Sequence, residues 1–198
     1  MSSPPDHARH LAETVERLAR LVRAREHESA LNPAQWEALR YLARCNRFSN
    51  TPGALTRYLA ATKGTVSQTL IALERKGLVR KEPDPASGRS VRLFLTETGE
   101  RLLADDPLGL LAEAAATLAG PMLAGTATGL GMLLAATIAR NGGRPFGVCR
   151  TCRFFRPEAP EGAPHFCGLL LVPLSERDSL SICQEHEPPQ EPCEHEAA

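Results

Sequence analysis

A chain of 198 residues is long enough for one substantial core and a small satellite. With 42% hydrophobic and 23% charged residues it sits in the ordinary globular range, which excludes a wholly disordered, collagen-like or mucin-like polypeptide. The formal net charge of zero hides a polarity: Thr51 to Leu95 carries eight basic residues against three acidic ones, whereas Pro157 to Ala198 carries nine acidic residues against Arg177 alone, so the middle of the chain suits a polyanion and its end repels one.

The opening stretch lacks the apolar core of a secretory signal and is interrupted by Asp6, Glu13 and Glu16, so a cytoplasmic protein is expected. From about Asp6 to Glu28, Leu11, Val15, Leu18, Leu21 and Val22 recur at helical spacing with charges between them, which predicts an amphipathic helix. Asn32-Pro33 is a cap followed by a first-turn proline and opens a second helix through Trp36, Leu39, Tyr41 and Leu42 to Arg44. Asn46 to Asn50 reads as a loop. Thr51-Pro52 repeats the start signal for a short helix, and Thr62 caps the next, which ends at Gly77, so the pair forms a helix-turn-helix. After Gly77 the period changes to that of strands, and LVRKEP, a Pro/Gly turn and SVRLFLT predict a β-hairpin. A helix from Glu97 to Ala104 follows, then an Ala/Leu-rich segment broken at Gly120-Pro121, and a last helix to Arg140. Leu118 to Ala139 carries no charge, yet its four glycines, its proline and its lack of aromatic anchors favour a buried dimer helix over a membrane span.

The run GLVRKEPDPASGRSVRLFLTETG resembles the wing of the MarR family, with its Asp-Pro turn, its arginine and its closing Leu-Thr-x-x-Gly. KGTVSQTLIALERKGLV resembles that family's recognition helix, and the resemblance covers about Asp6 to Arg140. It implies a mainly α fold with a small β-hairpin wing: a winged helix-turn-helix with N- and C-terminal dimerisation helices, here followed by a small Cys-rich C-terminal module. The wing tip, Ala86-Ser87-Gly88, departs from a more charged tip and leaves Arg89 as the candidate for minor-groove insertion. In a recognition helix the N-terminal, outward side chains reach base edges, which singles out Lys63, Thr65, Ser67, Gln68 and Thr69, with Val66, Leu70 and Leu73 facing inward. Arg57, Arg75, Arg80 and Arg92 are the candidate phosphate contacts.

Six cysteines complete the pattern. Cys45 falls in the second helix and reads as a core thiol. Cys149-x-x-Cys152 chelates at short range, and Cys167 and Cys183 can close a four-thiolate metal site; Cys193 lies in a tail without apolar residues and reads as a spare thiol. One close pair plus two distant cysteines fits a [4Fe–4S] cluster, with zinc the near alternative. His165 and His186 read as ordinary surface imidazoles. The expected organisation is a winged-helix and dimerisation domain over 1–140, the cysteine module over 141–187 and a flexible acidic tail over 188–198.

Together these features predict a homodimeric, sequence-specific regulator, a repressor on a palindromic double-stranded DNA operator, whose cysteine module senses redox or metal state. Two alternatives stay open: a repressor responding to a small-molecule effector with a purely structural zinc module, and a redox or interaction protein that offers its winged helix to a protein partner. No Gly-rich phosphate loop or Ser/His/Asp set points to an enzyme, and no membrane partner is expected.

Overall fold

The computed structural model describes residues 4–28, 31–85, 87–158 and 162–189, together with the backbone but not the side chains of Pro4 and Arg89. Cys193 lies outside the described residues, as does most of the expected acidic tail. Seven helices lead with a hairpin between the fourth and fifth: α1 (Pro4–His27), α2 (Pro33–Arg44), α3 (Pro52–Tyr58), α4 (Lys63–Arg75), β1 (Val79–Asp84), β2 (Ser87–Leu95), α5 (Glu97–Leu102), α6 (Gly109–Ala116) and α7 (Gly120–Arg140). The start signals act as the sequence predicts. Asn32 accepts from the Gln35 N–H in a capping box, and the Thr51, Thr62 and Thr96 hydroxyls accept from Ala54, Thr65 and Gly99, each satisfying a backbone donor the helix itself leaves open. Gly77 adopts φ 68°, and the N–H of Leu78 reaches back to the Leu73 carbonyl at 3.0 Å, closing α4.

One core unites these elements. Trp36, Leu39 and Tyr41 of α2, Leu55 of α3, Val66 and Leu73 of α4, Val79 of β1 and Leu93 of β2 are its largest buried side chains. The hairpin pairs Val79 with Leu95 through Pro83 with Val91, and its register shifts at Pro83/Asp84, which ends regular pairing before the tip. The closing Leu-Thr-x-x-Gly has a steric reason. Thr96 caps α5, and a Cβ on Gly99 would stand 2.3 Å from the Leu78 carbonyl oxygen. Gly99→Ala is therefore expected to destabilise the fold by about 1–3 kcal/mol, because backbone must shift to admit one methyl. Gly53→Ala, where no atom lies within 4 Å of the added Cβ, should be neutral or slightly stabilising. Thermal melting of the two variants checks this.

Arg40 of α2 joins distant segments, donating to Glu26 of α1 at 2.6 Å and to Asp106 at 2.8 Å. By contrast α1, α6 and α7 leave large apolar side chains exposed, among them Leu11, Val15, Leu18, Leu21, Met122, Met132 and Leu134. Val15 and Ala19 of α1 and Leu133 and Thr137 of α7 line one cleft. Gly120–Arg140 is long and apolar enough to cross a membrane by length and composition alone.

The cysteine segment forms short strands that the sequence reading did not resolve: β3 (Gly147–Val148), β4 (Phe155–Pro157), β5 (His165–Cys167), β6 (Val172–Leu174) and β7 (Ile182–Cys183), with the one-turn helix α8 (Glu176–Ser179). β3 pairs with β7, and β4-β5-β6 form an antiparallel sheet. This segment is docked against the winged helix. Ile182 lies in the main core cluster, and the Phe146 ring packs edge-on against Tyr58 at 5.3 Å.

Candidate functional site

Helix α4 rests on Val66, Leu70 and Leu73, which are buried, and that anchoring turns the opposite face to solvent. Lys63, Thr65, Ser67 and Gln68 are all exposed on its first two turns. Thr69 does not join them: it is buried, and its hydroxyl donates to the Thr65 carbonyl at 3.0 Å. Arg75, at the last turn, is exposed. Four side chains thus present a mixed donor and acceptor row of the kind that reads base edges.

The candidate phosphate contacts divide. Arg80 is exposed on β1, stacked 4.6 Å over the Phe94 ring and paired with Glu82. Arg92 is committed internally: it pairs with Asp84 at 2.9 Å and donates to the Arg47 carbonyl at 2.8 Å and the Asn50 side chain at 3.2 Å. Its side chain is only 20% exposed, so it braces the wing. Arg57 is exposed at the end of α3, with its guanidinium hydrogen-bonded to the Gln184 side chain. Arg89 sits in β2, and its side chain lies outside the described residues.

The four candidate ligand cysteines, more than thirty residues apart at their extremes, come together. Cys149, Cys152, Cys167 and Cys183 line a small pocket of about 20 Å3, walled otherwise by Phe154, Phe155, Leu169, Leu174 and Glu185. Every sulfur receives a backbone or side-chain N–H. Asn46 Nδ2 donates to Cys149 at 3.2 Å, the Glu187 N–H to Cys152 at 3.5 Å, the Leu170 N–H to Cys167 at 3.5 Å and the Glu185 N–H to Cys183. The Cys149 and Cys183 thiols hydrogen-bond to each other; that contact holds Cys183 below the ordinary thiol range and Cys149 above it, with burial adding to the rise at Cys149. Among the described residues, no three cysteine, histidine or carboxylate donors stand close enough to bind one metal ion as they are. Cys45 is apart from the cavity, its sulfur facing the Leu42 carbonyl at 3.7 Å, and burial pushes its thiol up to about 12. His165 and His186 do not line the cavity: they contact Glu176 and Thr151, each at 3.0 Å.

Sequence reasoning missed the loop between α2 and α3. Asn46 donates to Cys149 on one side, while Asn50 exchanges two hydrogen bonds with Leu93 of the wing on the other, at 2.7 and 3.1 Å. Ser49 accepts from the Gln184 N–H at 2.9 Å, and Gln184 also donates to the Phe48 carbonyl. The loop is therefore clamped between the cysteine cavity and the hairpin. Two asparagines bracketing a short polar loop were the one local hint, since such side chains often satisfy backbone groups.

Comparison with known proteins bears on this arrangement. Residues 31–90 match the model of the MarR family, a family of DNA-binding transcription regulators and not of enzymes. The chain is 33% identical over 93 residues to an uncharacterized HTH-type transcriptional regulator of Mycobacterium leprae, a match covering 47% of this chain and 64% of that protein. It is 43% identical over 51 residues to the transcriptional regulator HosA of Escherichia coli, covering 26% and 38%. The matches thus span less than two thirds of either relative. In fold, the chain is similar to Staphylococcus aureus MepR in its DNA-binding conformation, with a TM-score of 0.56 at 19% identity over 66% of this chain and 98% of that one. It is also similar to Streptococcus pneumoniae FabT in complex with DNA, with a TM-score of 0.54 at 20% identity over 68% and 97%. The matched region ends before the cysteine segment in the family model.

Proposed function

We propose that this chain, a transcriptional regulator with a MarR-family winged helix at residues 31–90, acts in the cytoplasm as a homodimeric repressor on a palindromic operator. The observation that carries the reading is the exposed row Lys63, Thr65, Ser67 and Gln68 on an anchored α4 beside a wing braced by Arg92. Each protomer lays α4 in a major groove, with Gln68 suited to adenine and the neighbouring hydroxyls to base edges or phosphate. Arg75 and Arg80 contact phosphates, and Arg89 reaches from the wing into the minor groove. Dimerisation covers the apolar faces of α1 and α7 and sets the half-site spacing. The cysteine module reports redox or metal state to this reading head.

Selection of bound sequences from a random duplex pool tests the reading. The expected product is an inverted repeat with half-sites about 10 base pairs apart. Gln68→Ala should cost about 1–3 kcal/mol and relax preference at one position, whereas Arg75→Ala should weaken all sequences alike and flatten the salt dependence. Recovery of no enriched sequence would remove the assignment.

A cleft of about 580 Å3 between α2, β2 and α8, with Leu42, Leu93 and Leu95 beside Arg47, Arg80 and Arg177 and the acids Glu100 and Asp178, favours a second reading in which a small molecule is the effector. Calorimetric titration with aromatic carboxylates, wild type against Arg177→Ala, separates the two.

A further inference from the structure

Cys149 and Cys183 meet through the pairing of two short strands. β3 and β7 run antiparallel with Gly147 opposite Cys183 and Val148 opposite Ile182, and the ladder continues as the Cys149 N–H reaches the Ser181 carbonyl at 3.3 Å. Cys149 is therefore two positions along from the residue that faces Cys183, which puts both side chains on one face of the pair. Each residue is 6% exposed, and their thiols hydrogen-bond to each other. Leu174 shares their buried cluster, with Phe48, Phe155 and Val172 packed against it.

The space beside these sulfurs is small. About 20 Å3 holds one water-sized body, not the irons and sulfides of a four-iron core, and among the described residues no three donors stand close enough to bind a single ion. As it stands the donor set fits neither centre. It does fit thiol chemistry, because a sulfur oxidised here meets a second thiol already in contact. Cys152 and Cys167 border the same pocket, with their sulfurs accepting the Glu187 and Leu170 N–H groups.

We infer that Cys149 and Cys183 form a reversible disulfide site for a small hydroperoxide, and that the 46–50 loop carries its closure to the wing. This rests on the regulator reading and gives its redox response a site and a chemistry. With hydrogen peroxide, an S–O bond forms at one sulfur as the O–O bond breaks and water leaves, giving a sulfenic acid. The other sulfur then attacks it: the S–S bond forms, the S–O bond breaks and a second water leaves. The two sulfurs give up two electrons and the peroxide takes them. Closure draws the sulfurs to about 2 Å and moves the β7 segment on which the loop depends. Asn46 donates to Cys149 at 3.2 Å and also serves Cys183, its N–H donates to the Ile182 carbonyl at 2.9 Å, and the Gln184 N–H donates to Ser49. At the other end of the loop, the Asn50 carbonyl accepts from the Leu93 N–H at 2.7 Å, and the Arg47 carbonyl holds Arg92.

The test uses the full chain, reduced and then treated with stoichiometric hydrogen peroxide. The expected product has lost two titratable thiols and regains them with dithiothreitol. Its tryptic map should join the peptide that ends at Arg150 to the one that follows Arg177. That second peptide holds both Cys183 and Cys193, so the map is repeated with Cys193→Ser, which should keep the link. Hydrogen exchange at the Leu93 amide should rise about threefold or more on oxidation. Cys149→Ser and Cys183→Ser should each lose the link and the response, whereas Cys45→Ser should keep both. A bond from Cys149 to Cys152, thiols that survive peroxide until the chain is unfolded, or stoichiometric zinc or iron in the chain as purified would overturn the site. A Cys149–Cys183 bond that leaves Leu93 exchange unchanged would overturn the coupling. Neither readout uses DNA, so both results are independent of whether an operator is found.

Discussion

Arg40→Ala is expected to lower the folding free energy by about 3 kcal/mol, the usual range for removing one partner of a buried ion pair. Arg40 is itself only 16% exposed, and it neutralises Glu26, whose side chain is 3% exposed, together with Asp106 at 16%. Truncation takes this cation from two carboxylates that see little solvent, and it removes the guanidinium lying 5.5 Å over the Trp36 ring. Arg101→Ala serves as the control, since its pair with Glu97 is exposed at both ends and should be worth under about 0.5 kcal/mol. Acid sensitivity gives an independent check. Burial alone would lift the Asp106 carboxyl, but the Arg40 hydrogen bonds, the Leu108 N–H at 2.8 Å and the Arg40 charge together outweigh it and hold it below the usual carboxylate range. A depressed folded value contributes stability that is fully present above the unfolded value of about 4 and lost as pH falls through the folded one. Denaturant titrations across that window should show the wild type losing this contribution and Arg40→Ala losing less, since only the Leu108 N–H then favours the carboxylate. Equal stability of wild type and Arg40→Ala at neutral pH would contradict the role of this junction.

The paired substitution Met132→Asp with Leu134→Asp is expected to convert a dimer to a monomer, raising the dissociation constant at least about 100-fold, since each buried unpaired charge costs several kcal/mol. Met132 and Leu134 are 69% and 61% exposed on α7, so within one chain the change disturbs nothing packed. A helix with this composition gains from exposure only if something covers it. Sedimentation at micromolar concentration reads the assembly, and operator affinity should fall with it, because two recognition helices must engage together. A variant that still sediments as a dimer would place the interface elsewhere. Partition of the intact wild type into membranes would assign α7 to lipid instead.

What the sequence conveyed was local. Asn32, Thr51, Thr62 and Thr96 announce helix starts within four residues of the donors they cap, Gly77 marks an end through its own backbone, and the wing declares itself by a period of two. The inward stripe of α4 was legible for the same reason, although Thr69 was assigned to the outer face. It lies beside Leu70 and one turn after Thr65, whose carbonyl takes its hydroxyl. Arg92 likewise alternates correctly as a strand residue, yet its partners Arg47 and Asn50 lie more than forty residues away. The cysteine module was legible as chemistry and not as a place. Asn46 and Cys149 are 103 residues apart, Ile182 enters the winged-helix core from the far end of the chain, and no periodicity encodes such a meeting. The small satellite expected after the winged-helix segment packs into its core through Ile182 and holds its 46–50 loop.

Hydroxyl-radical footprinting of the selected duplex tests the central claim most directly. The account predicts two protected segments about one helical turn apart, placed symmetrically about the centre of the repeat. Gln68→Ala should thin protection within each half-site without changing the dimer, because Gln68 is an exposed side chain of α4. One unbroken protected stretch independent of sequence, or the same footprint with wild type and Gln68→Ala, would contradict α4 as the element that reads DNA.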